Sequence, residues 1–528
     1  MSASPPIAID AEIAPQGVLT RARPTGDVFA VGVLVMLALS VVQRLIGLFR
    51  GIGFCHFLSD IELGHWALAN SFFVIGVPIA VLGLPGSFGK FTEYYRVRNR
   101  LGEYLLRVVC VSLVGLVATC GLILCFPSNF SWLILGEENP YYLIVWCVAA
   151  LISVATFSFI NELAGSLRQV RVVSLMQFTQ SFTFAVIGVW MIAHHHTWTV
   201  LLPCFAIASL VGSLPGVWVI HTQHRDEFQF SRTHQPVFDT SGQVTVVQTV
   251  WSRILPYAAT VWLMNFLGNM FEISDRYMLL HFSPGGQQVG QALVGQYHAG
   301  YILPNLLTSL ALMLSGILLP YLSADWEAGR QDLIAAKLRQ MLQATSIGFL
   351  VLAIGALAVA PWLYGFGFGG RYGLAERVLP IALIQATWVS LFFMSQTYML
   401  CAERGKQLAL LLIVGLCINL MLNALLIPRF GLLGAVIATS SANLLALLAV
   451  LWRISQRQGQ LGYGTVILCL APLSLLPGPA FGLVALLLIV SIAGRTSWLL
   501  SATDRAAIDA VVIPKLHRFR LGIRTLWP

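Results

Sequence analysis

Long apolar runs separated by short polar segments dominate the pattern of this chain. Runs of about 20 apolar residues are long enough to cross a bilayer as helices. The pattern predicts fourteen such spans, with twelve as the alternative because Pro472, Pro477 and Pro479 crowd the thirteenth. The predicted spans lie at about 28–54, 65–88, 104–126, 141–163, 172–194, 199–221, 254–281, 297–321, 342–365, 376–401, 406–427, 431–452, 463–478 and 480–500.

A weak internal repeat relates the first six spans to the next six, with a shift of about 231 to 235 residues. "GHWALA" from Gly64 corresponds to "GQYHAGY" from Gly295, and Arg44 corresponds to Arg276. Parallel repeats occur in secondary transporters, where the substrate site lies between the two halves. The repeat therefore predicts an all-α polytopic membrane protein with two six-helix lobes and two additional C-terminal helices. The predicted units are an N-terminal tail (1–27), an N-terminal lobe (28–221), a linker (222–253), a C-terminal lobe (254–452), two extra helices (463–500) and a basic tail (501–528).

Basic residues fall mainly on one side of this arrangement. Only 10% of the residues are charged, against about 25% in soluble proteins. If the N-terminus is cytoplasmic, 25 of the 31 lysines and arginines lie in cytoplasmic tails and loops and 3 in outer loops. Cytoplasmic loops are typically enriched in Lys and Arg. The bias predicts a cytoplasmic N-terminus, linker and C-terminal tail, and it accounts for the net charge of +9 without a nucleic-acid partner.

Three arginines lie inside predicted spans: Arg44 and Arg50 in the first and Arg276 in the seventh. An ionised side chain at the bilayer centre costs roughly 2.5–3.5 kcal/mol, so all three facing lipid would cost on the order of 8–10 kcal/mol. That cost rivals the stability of a typical domain. We expect them to face a wet cavity; the alternatives are snorkelling for Arg50 and an ion pair with Glu272 or Asp275 for Arg276.

Other polar residues recur at helical spacing within the spans. In the seventh span Asn265, Asn269, Glu272 and Arg276 form one stripe at i, i+4, i+7 and i+11, with Asp275 to one side. Hydrogen bonds between helices are one interpretation of such residues, and a cavity lining or coupling role is the other. The further candidates for that role are Gln177, Gln180, Asn419 and Asn423.

The type of buried charge indicates the class of ligand. The guanidinium fork binds phosphate or carboxylate at two points and keeps its charge at every physiological pH. An exporter of cationic drugs would instead need acidic groups. The chain has no GxxxxGK[ST] motif and no HExxH motif, and its nine cysteines and His194–His196 lack metal-ligand spacing. We therefore predict an anionic, phosphate-bearing amphiphile as substrate, with no metal centre and no ATP hydrolysis.

Two stretches carry a resemblance to a known family. "RLIGLFRGIGFCHFLSDIELGHWALAN" and "INLMLNALLIPRFGLLGAVIAT" resemble the polysaccharide-transporter (Wzx-type oligosaccharide flippase) family of the multidrug, oligosaccharidyl-lipid and polysaccharide exporter superfamily. Related lipid II flippases also carry two arginines six apart in the first span, as Arg44 and Arg50 are here. The resemblance implies alternating access of two lobes in a bacterial cytoplasmic (inner) membrane. It also implies coupling to membrane potential, H⁺ or Na⁺, with no other cofactor.

These observations predict a transporter rather than an enzyme: a flippase for polyprenyl-diphosphate-linked oligosaccharide in cell-surface polysaccharide biosynthesis. Arg44, Arg276 and Arg50 would bind the diphosphate, and Glu272 or Asp275 would compete for the arginines during release. Besides substrate and membrane lipids, the implied partners are polysaccharide polymerase and glycosyltransferase machinery. The alternatives are a lipid II-type precursor flippase, a cation-coupled multidrug exporter and, less favoured, a membrane glycosyltransferase or polymerase.

Overall fold

The computed structural model describes residues 26–97, 100–138, 140–223, 250–402, 404–458, 462–495 and 499, and their regular structure is helical. The helices that precede residue 224 are α1 (Gly26–Phe57), α2 (Asp60–Ala80), α3 (Phe88–Val97), α4 (Leu101–Cys125), α5 (Pro127–Leu135), α6 (Tyr141–Ser166), α7 (Val170–His195) and α8 (Leu201–Gln223). Those that follow residue 249 are α9 (Val250–Phe282), α10 (Gln287–Gly300), α11 (Ile302–Glu327), α12 (Gln331–Trp362), α13 (Gly373–Cys401), α14 (Gly405–Phe430), α15 (Leu432–Gln458), α16 (Tyr463–Leu470) and α17 (Pro479–Arg495).

The chain is a multi-pass membrane protein. Among the described residues, nine helices are long and apolar enough to cross a bilayer, and the bent pair α10–α11 makes a tenth. Helices occupy all fourteen predicted spans, although α16 and α17 are shorter than a full crossing. The tails and most of the linker, at 1–25, 224–249 and 501–528, lie outside the described residues, so the predicted unit boundaries there stay predictions.

The second predicted span ends earlier than its hydropathy indicates. Hydropathy predicts this span at 65–88, but α2 ends at Ala80 and a 3-10 turn at Leu84–Ser87 leads into the amphipathic helix α3. Gly83 has φ +63°, and a Cβ there would lie 2.6 Å from the Cβ of Trp262. Pro85 follows in the first turn of the 3-10 segment. The left-handed glycine and the proline end the helix although the residues stay apolar.

A second departure is α10, which precedes the predicted span at 297–321. α10 and the start of α11 form one span bent by 50°. The first half of this span, "QQVGQALVGQ", has low hydropathy. A polar sequence is tolerated there because the segment packs against protein rather than lipid. Gln291 is 1% exposed and its amide donates to the carbonyl oxygen of Leu135 at 3.0 Å. A hydropathy window detects lipid-facing helices and misses such a buried polar one.

The two lobes have the same internal packing. In the N-terminal lobe the first span packs on the fifth (α1 on α7), the fifth on the sixth (α7 on α8) and the fourth on the sixth (α6 on α8). The C-terminal lobe repeats these pairs as α9 on α14, α14 on α15 and α13 on α15. The added helices α16 and α17 pack on α12. The repeat in the sequence is therefore a repeat of structure.

The lobes meet where α2 crosses α10, at a contact that we call the glycine crossing (Gly64 and Gly295). A Cβ on Gly64 would lie 3.2 Å from the amide nitrogen of Gly295, and one on Gly295 would lie 3.0 Å from that of Gly64. Each Cβ would also run into a backbone carbonyl oxygen, that of Gln291 or Asp60 respectively. Both residue pairs are related by the repeat shift of 231. The axis of the repeat therefore passes between α2 and α10. Only glycine at the contact allows these two helices to approach so closely.

Hydrogen bonds between the lobes surround the glycine crossing on the side where α1 ends and α2 begins, which the basic residues predict to be the outer side. The Gln296 amide donates to Asp60 Oδ2 of the other lobe at 3.3 Å, and it also donates to the carbonyl oxygen of Arg371 in its own lobe at 3.0 Å. The Tyr372 hydroxyl donates to the carbonyl oxygen of Leu58 at 3.0 Å. These contacts close the space between the lobes at the predicted outer end.

Candidate functional site

A cavity of about 300 Å³ lies between the lobes, one to two helical turns from the glycine crossing. Helices α1, α2, α7 and α8 supply its wall on one side, and α10 and α11 supply the other. Gly47 and Gly51 of α1 form part of the wall and leave space beside the arginines. The polar lining residues are Gln43, Arg44, Arg50, Asn70, Ser181, His298, Asn305 and Ser309.

Two of the three predicted arginines reach this cavity. Arg44 is exposed on its wall. The Arg50 guanidinium carbon lies 4.9 Å from the centroid of the Phe184 ring, a cation–π contact between α1 and α7. Arg50 therefore lies on the cavity wall, and the snorkelling alternative does not describe it. Among the described lining residues the charged side chains are Arg44 and Arg50, with no aspartate or glutamate, so this part of the cavity wall is positively charged.

Arg276 lies elsewhere, behind the wall. Its side chain is 5% exposed and its Nη1 donates to Ser71 Oγ of α2 at 2.7 Å. Ser71 follows the lining residue Asn70, but neither Ser71 nor Arg276 is itself part of the lining. In this conformation Arg276 forms a hydrogen bond between the lobes. Glu272, its predicted ion-pair alternative, has a side chain outside the described part of the structure.

Asp275 is the centre of a separate buried network between α9, α10, α14 and α15. Its Oδ1 accepts a hydrogen bond from Asn423 Nδ2 at 2.7 Å, and its Oδ2 accepts from Tyr297 at 2.8 Å and from Thr439 at 2.6 Å. Asn419 donates to Thr439 Oγ1 at 2.8 Å. No lysine, arginine or histidine of the described residues forms an ion pair with this fully buried carboxylate. The carboxylate is thus stabilised by neutral donors alone.

The Asp275 network has the composition of a small-cation or proton site. Carboxylate, amide and hydroxyl oxygens are the ligands that hard cations prefer. Asn423 Oδ1 is buried and has no hydrogen-bond partner. A buried acceptor of this kind is costly unless something binds it. Rotation of the Asn423 amide by half a turn would place this oxygen next to the carboxylate, where both could bind one cation.

The remaining predicted polar residues stay apart from both groups. Gln180 donates to Ser209 Oγ of α8 at 3.0 Å. Of the two roles predicted for Gln180, this is the hydrogen bond between helices. Gln177 is half-buried on α7 and does not line the cavity. Asn265 and Asn269 are exposed on α9 and do not line it either.

Sequence reasoning missed several residues of these sites, above all His298. His298 lies three residues after Gly295 in the segment "GQYHAGY", which the repeat aligns with Gly64 and its neighbours. The lining residues Asn70 and Asn305 follow Gly64 and Gly295 by 6 and 10 residues. The repeat could have indicated all three, since residues that flank a two-fold axis line the space between the lobes.

No family model matches the chain. It is 21% identical over 429 residues to an uncharacterized membrane protein, YabM, of Bacillus subtilis, covering 78% of this chain and 77% of that one. Two solved structures share its architecture. The first is the lipid II flippase MurJ in an inward closed conformation, with a TM-score of 0.63 and 13% identity, covering 88% of this chain and 99% of that one. The second is an inward-facing MATE-family multidrug transporter of the MOP superfamily, with a TM-score of 0.58 and 15% identity, covering 81% and 98%.

The chain therefore has the fold of these two transporters. That agrees with the predicted fold class. The predicted superfamily stays a prediction. In this chain the lobes are joined by hydrogen bonds on the predicted outer side. The Wzx-type subfamily stays a prediction, since neither solved structure is named as one.

Proposed function

We propose that this protein is a flippase that moves a polyprenyl-diphosphate-linked oligosaccharide across the bacterial cytoplasmic membrane for cell-surface polysaccharide biosynthesis. The observation that carries the proposal is the cavity between the lobes, which Arg44 and Arg50 line with no acidic side chain beside them among the described residues. A guanidinium group facing hydrocarbon is costly, so the two groups need a wet cavity and an anionic ligand. The diphosphate supplies that anion, and the lipid chain stays in the bilayer.

The polar lining around the arginines suits the sugar next to the diphosphate. Gln43, Asn70 and Asn305 present amides that exchange hydrogen bonds with hydroxyl groups. Separation of the lobes at the glycine crossing would then expose the same cavity to the predicted outer side. Synthesis and use of such a lipid-linked sugar imply glycosyltransferases before the flippase and a polymerase after it as partners.

Coupling to a cation is part of the proposal, and Asp275 is the group that would carry it. With Asn419, Asn423 and Thr439 it supplies the oxygen atoms that would hold Na⁺, or Asp275 alone would take up H⁺. The buried, unpartnered Asn423 Oδ1 supports a ligand at this place. Because Tyr297 of α10 donates to Asp275, a bound cation would act on the helix that carries one half of the glycine crossing. Transport by Asp275→Asn should therefore lose its dependence on the coupling ion.

A lipid II-type precursor is the second candidate substrate, because the fold covers 99% of the MurJ chain and the arginine pair suits any lipid diphosphate. A cation-coupled drug exporter fits less well, because the charged lining residues in the described part of the chain are arginines. Transport assays with lipid-linked sugar, lipid II and a cationic dye separate these functions by which substrate moves.

The experiment uses the purified full chain in proteoliposomes that carry a fluorescent lipid-linked saccharide. Leaflet-specific quenching or lectin capture then measures how much substrate crosses. Arg44→Ala and Arg50→Ala should each lower the initial rate about 10- to 100-fold, because a hydrogen bond to a charged group contributes about 1.5–3 kcal/mol. Arg44→Lys should recover only part of the rate, because lysine keeps the charge but not the two-point geometry.

The matched control is Arg429→Ala, which removes an exposed arginine at the end of α14, outside the cavity. Its rate should equal that of the unchanged protein. Unchanged rates in both Arg44→Ala and Arg50→Ala would refute the assignment of this cavity as the substrate site.

A further inference from the structure

We propose that His298 is a third ligand of the phosphate head, and that it takes up a proton when the head binds. The inference rests on the proposed function, since it concerns the same cavity and the same ligand. It adds a residue that no predicted site contained and a measurable consequence, the coupling of substrate binding to one proton.

The last turn of α10 is fixed in a position that presents His298 to the cavity. Tyr297 and Tyr301 stack on each other, with ring centroids 4.3 Å apart, and both are buried. Their hydroxyl groups donate to Asp275 at 2.8 Å and to Gln385. Between them His298 is half-buried, lines the cavity and has no hydrogen-bond partner among the described residues. The tyrosines thus hold the helix from one side and leave the imidazole free on the other.

Among the described residues, the charged side chains around His298 are positive. Arg44 and Arg50 of α1 line the same cavity, and Arg276 of α9 lies behind its wall, where it donates to Ser71. From α2 and α11 the cavity receives only neutral side chains, and α13 and α15 contribute none to it. Asp275 of α9 is engaged by neutral donors in its own network, and the side chain of Glu272 lies outside the described part of the structure.

This arrangement links protonation of the His298 imidazole to binding of the ligand. Burial of the imidazole and the neighbouring positive charges both disfavour a further positive charge, so His298 is neutral before the ligand binds. A diphosphate that bridges a lipid and a sugar carries two negative charges, which reverse the local field. Histidine changes its charge near neutral pH, so this reversal is enough to protonate it. The imidazolium then donates to a phosphate oxygen beside the guanidinium groups.

The linkage has a definite sign. The complex holds one more proton than the separate protein and ligand, so the affinity falls as pH rises. Over the range where His298 is neutral in the free protein and protonated in the complex, the affinity should fall by up to about tenfold per pH unit. Binding by the arginines alone would be insensitive to pH in this range, because guanidinium does not titrate there.

The test is isothermal titration calorimetry of the purified full chain with a farnesyl diphosphate diester of N-acetylglucosamine. A diester has no phosphate proton that titrates near neutral pH, so any proton taken up goes to the protein. Titrations at about pH 7.5 in buffers of different ionisation enthalpy give the number of protons taken up. We expect a net uptake approaching one proton per ligand, and none in His298→Gln or His298→Asn. His281→Gln, a histidine change at the end of α9 next to Trp132 and outside the cavity, is the matched control.

The outcomes separate this inference from the function on which it rests. If the diester binds, Arg44→Ala weakens binding and the unchanged protein takes up no proton, the inference is wrong and the proposed function stands. Proton uptake that survives in both His298 variants also overturns it, because another group then carries the proton. If the unchanged protein fails to bind the diester, both proposals fail. Should neither variant be monodisperse, the unchanged protein is compared with Asp275→Asn: uptake that persists in Asp275→Asn supports the inference, and uptake that is absent from the unchanged protein or lost in Asp275→Asn overturns it.

Discussion

Replacing Gly64 by alanine should separate α2 from α10 at the predicted outer end of the lobes. A Cβ at this position would lie 2.9 Å from the carbonyl carbon of Gln291, and closer still to its oxygen. Ordinary contacts of a Cβ begin at about 3.4 Å, so the helices must move apart by at least about 0.5 Å. Both atoms belong to helix backbones, and neither can turn aside as a flexible side chain could. The strain can only be relieved by movement of the whole helix.

The size of the effect follows from the cost of overpacking. Forcing an extra methyl group into a well-packed contact costs about 1–3 kcal/mol. The cost falls only on the conformation in which the helices touch, so it shifts the equilibrium between closed and separated lobes by about 5- to 150-fold. Gly295→Ala should act in the same way, because its Cβ would meet the carbonyl group of Asp60.

The assay is a distance measurement between spin labels on the two lobes by double electron–electron resonance. His195 at the end of α7 and Gln288 in the first turn of α10 are exposed and suit the labels. The background protein has its exposed cysteines replaced, namely Cys110, Cys125 and Cys417. We expect a second, longer distance to appear or grow in Gly64→Ala. Gly348→Ala in α12 is the control, since a Cβ there has nothing within 4 Å. A distance distribution unchanged in both Gly64→Ala and Gly295→Ala would refute the reasoning.

Three further predictions test other parts of the structure. Phe184→Leu removes the ring under Arg50 and should weaken diphosphate binding about 2- to 30-fold, since a cation–π contact contributes from about 0.5 kcal/mol at an exposed site to about 2 kcal/mol when buried, and the Phe184 ring is buried. Calorimetry with the diester measures the effect, and equal affinities would argue against the contact. Trp388→Phe removes the hydrogen bond from Nε1 to the carbonyl oxygen of Cys469 at 2.9 Å and should cost about 1–3 kcal/mol, detected as earlier proteolysis of α16–α17. At the end of α11, the hydrogen bond from Lys337 and the charge of Arg330 hold the pKa of Asp325 below its usual value. The ionised Asp325 therefore stabilises the folded protein above about pH 4, and this stabilisation is lost as pH falls through the lowered pKa. The difference in melting temperature between the unchanged protein and Asp325→Asn should accordingly close in acid, and a constant difference would contradict the assignment.

Hydropathy predicts the spans well because contact with lipid imposes a clear requirement. A helix in hydrocarbon must bury its backbone polar groups and present apolar side chains, so hydropathy alone locates it. That requirement lapses where a helix is surrounded by protein. For that reason most of the glutamine-bearing α10 falls outside every predicted span, although Gln291 and Gln296 are among the most buried polar residues.

The internal repeat indicates more of the site than the polar stripes do. It pairs Gly64 with Gly295 by their positions in the sequence, and these two residues touch. The stripes identify Asn419 and Asn423 as sharing one helix face but do not say what that face meets. Their partner Asp275 is about 145 residues away in the chain, and spacing within one helix gives no tertiary pairing. The same limit explains why the sequence does not locate the Arg50 side chain, since its position depends on the Phe184 ring of α7.

The chemical character of the glycine crossing bears on how easily the protein can work in cycles. When α2 and α10 part, the groups that come into contact with water include the backbones of Gly64 and Gly295 and the amides of Gln291 and Gln296. These groups are hydrophilic, so uncovering them carries little of the penalty that attends the wetting of leucine or phenylalanine. A closure of this kind depends on the close approach of two helix backbones and on hydrogen bonds that water can replace when the lobes separate. It can therefore be broken and remade at every turnover with the modest free energy that one bound ion or lipid head provides.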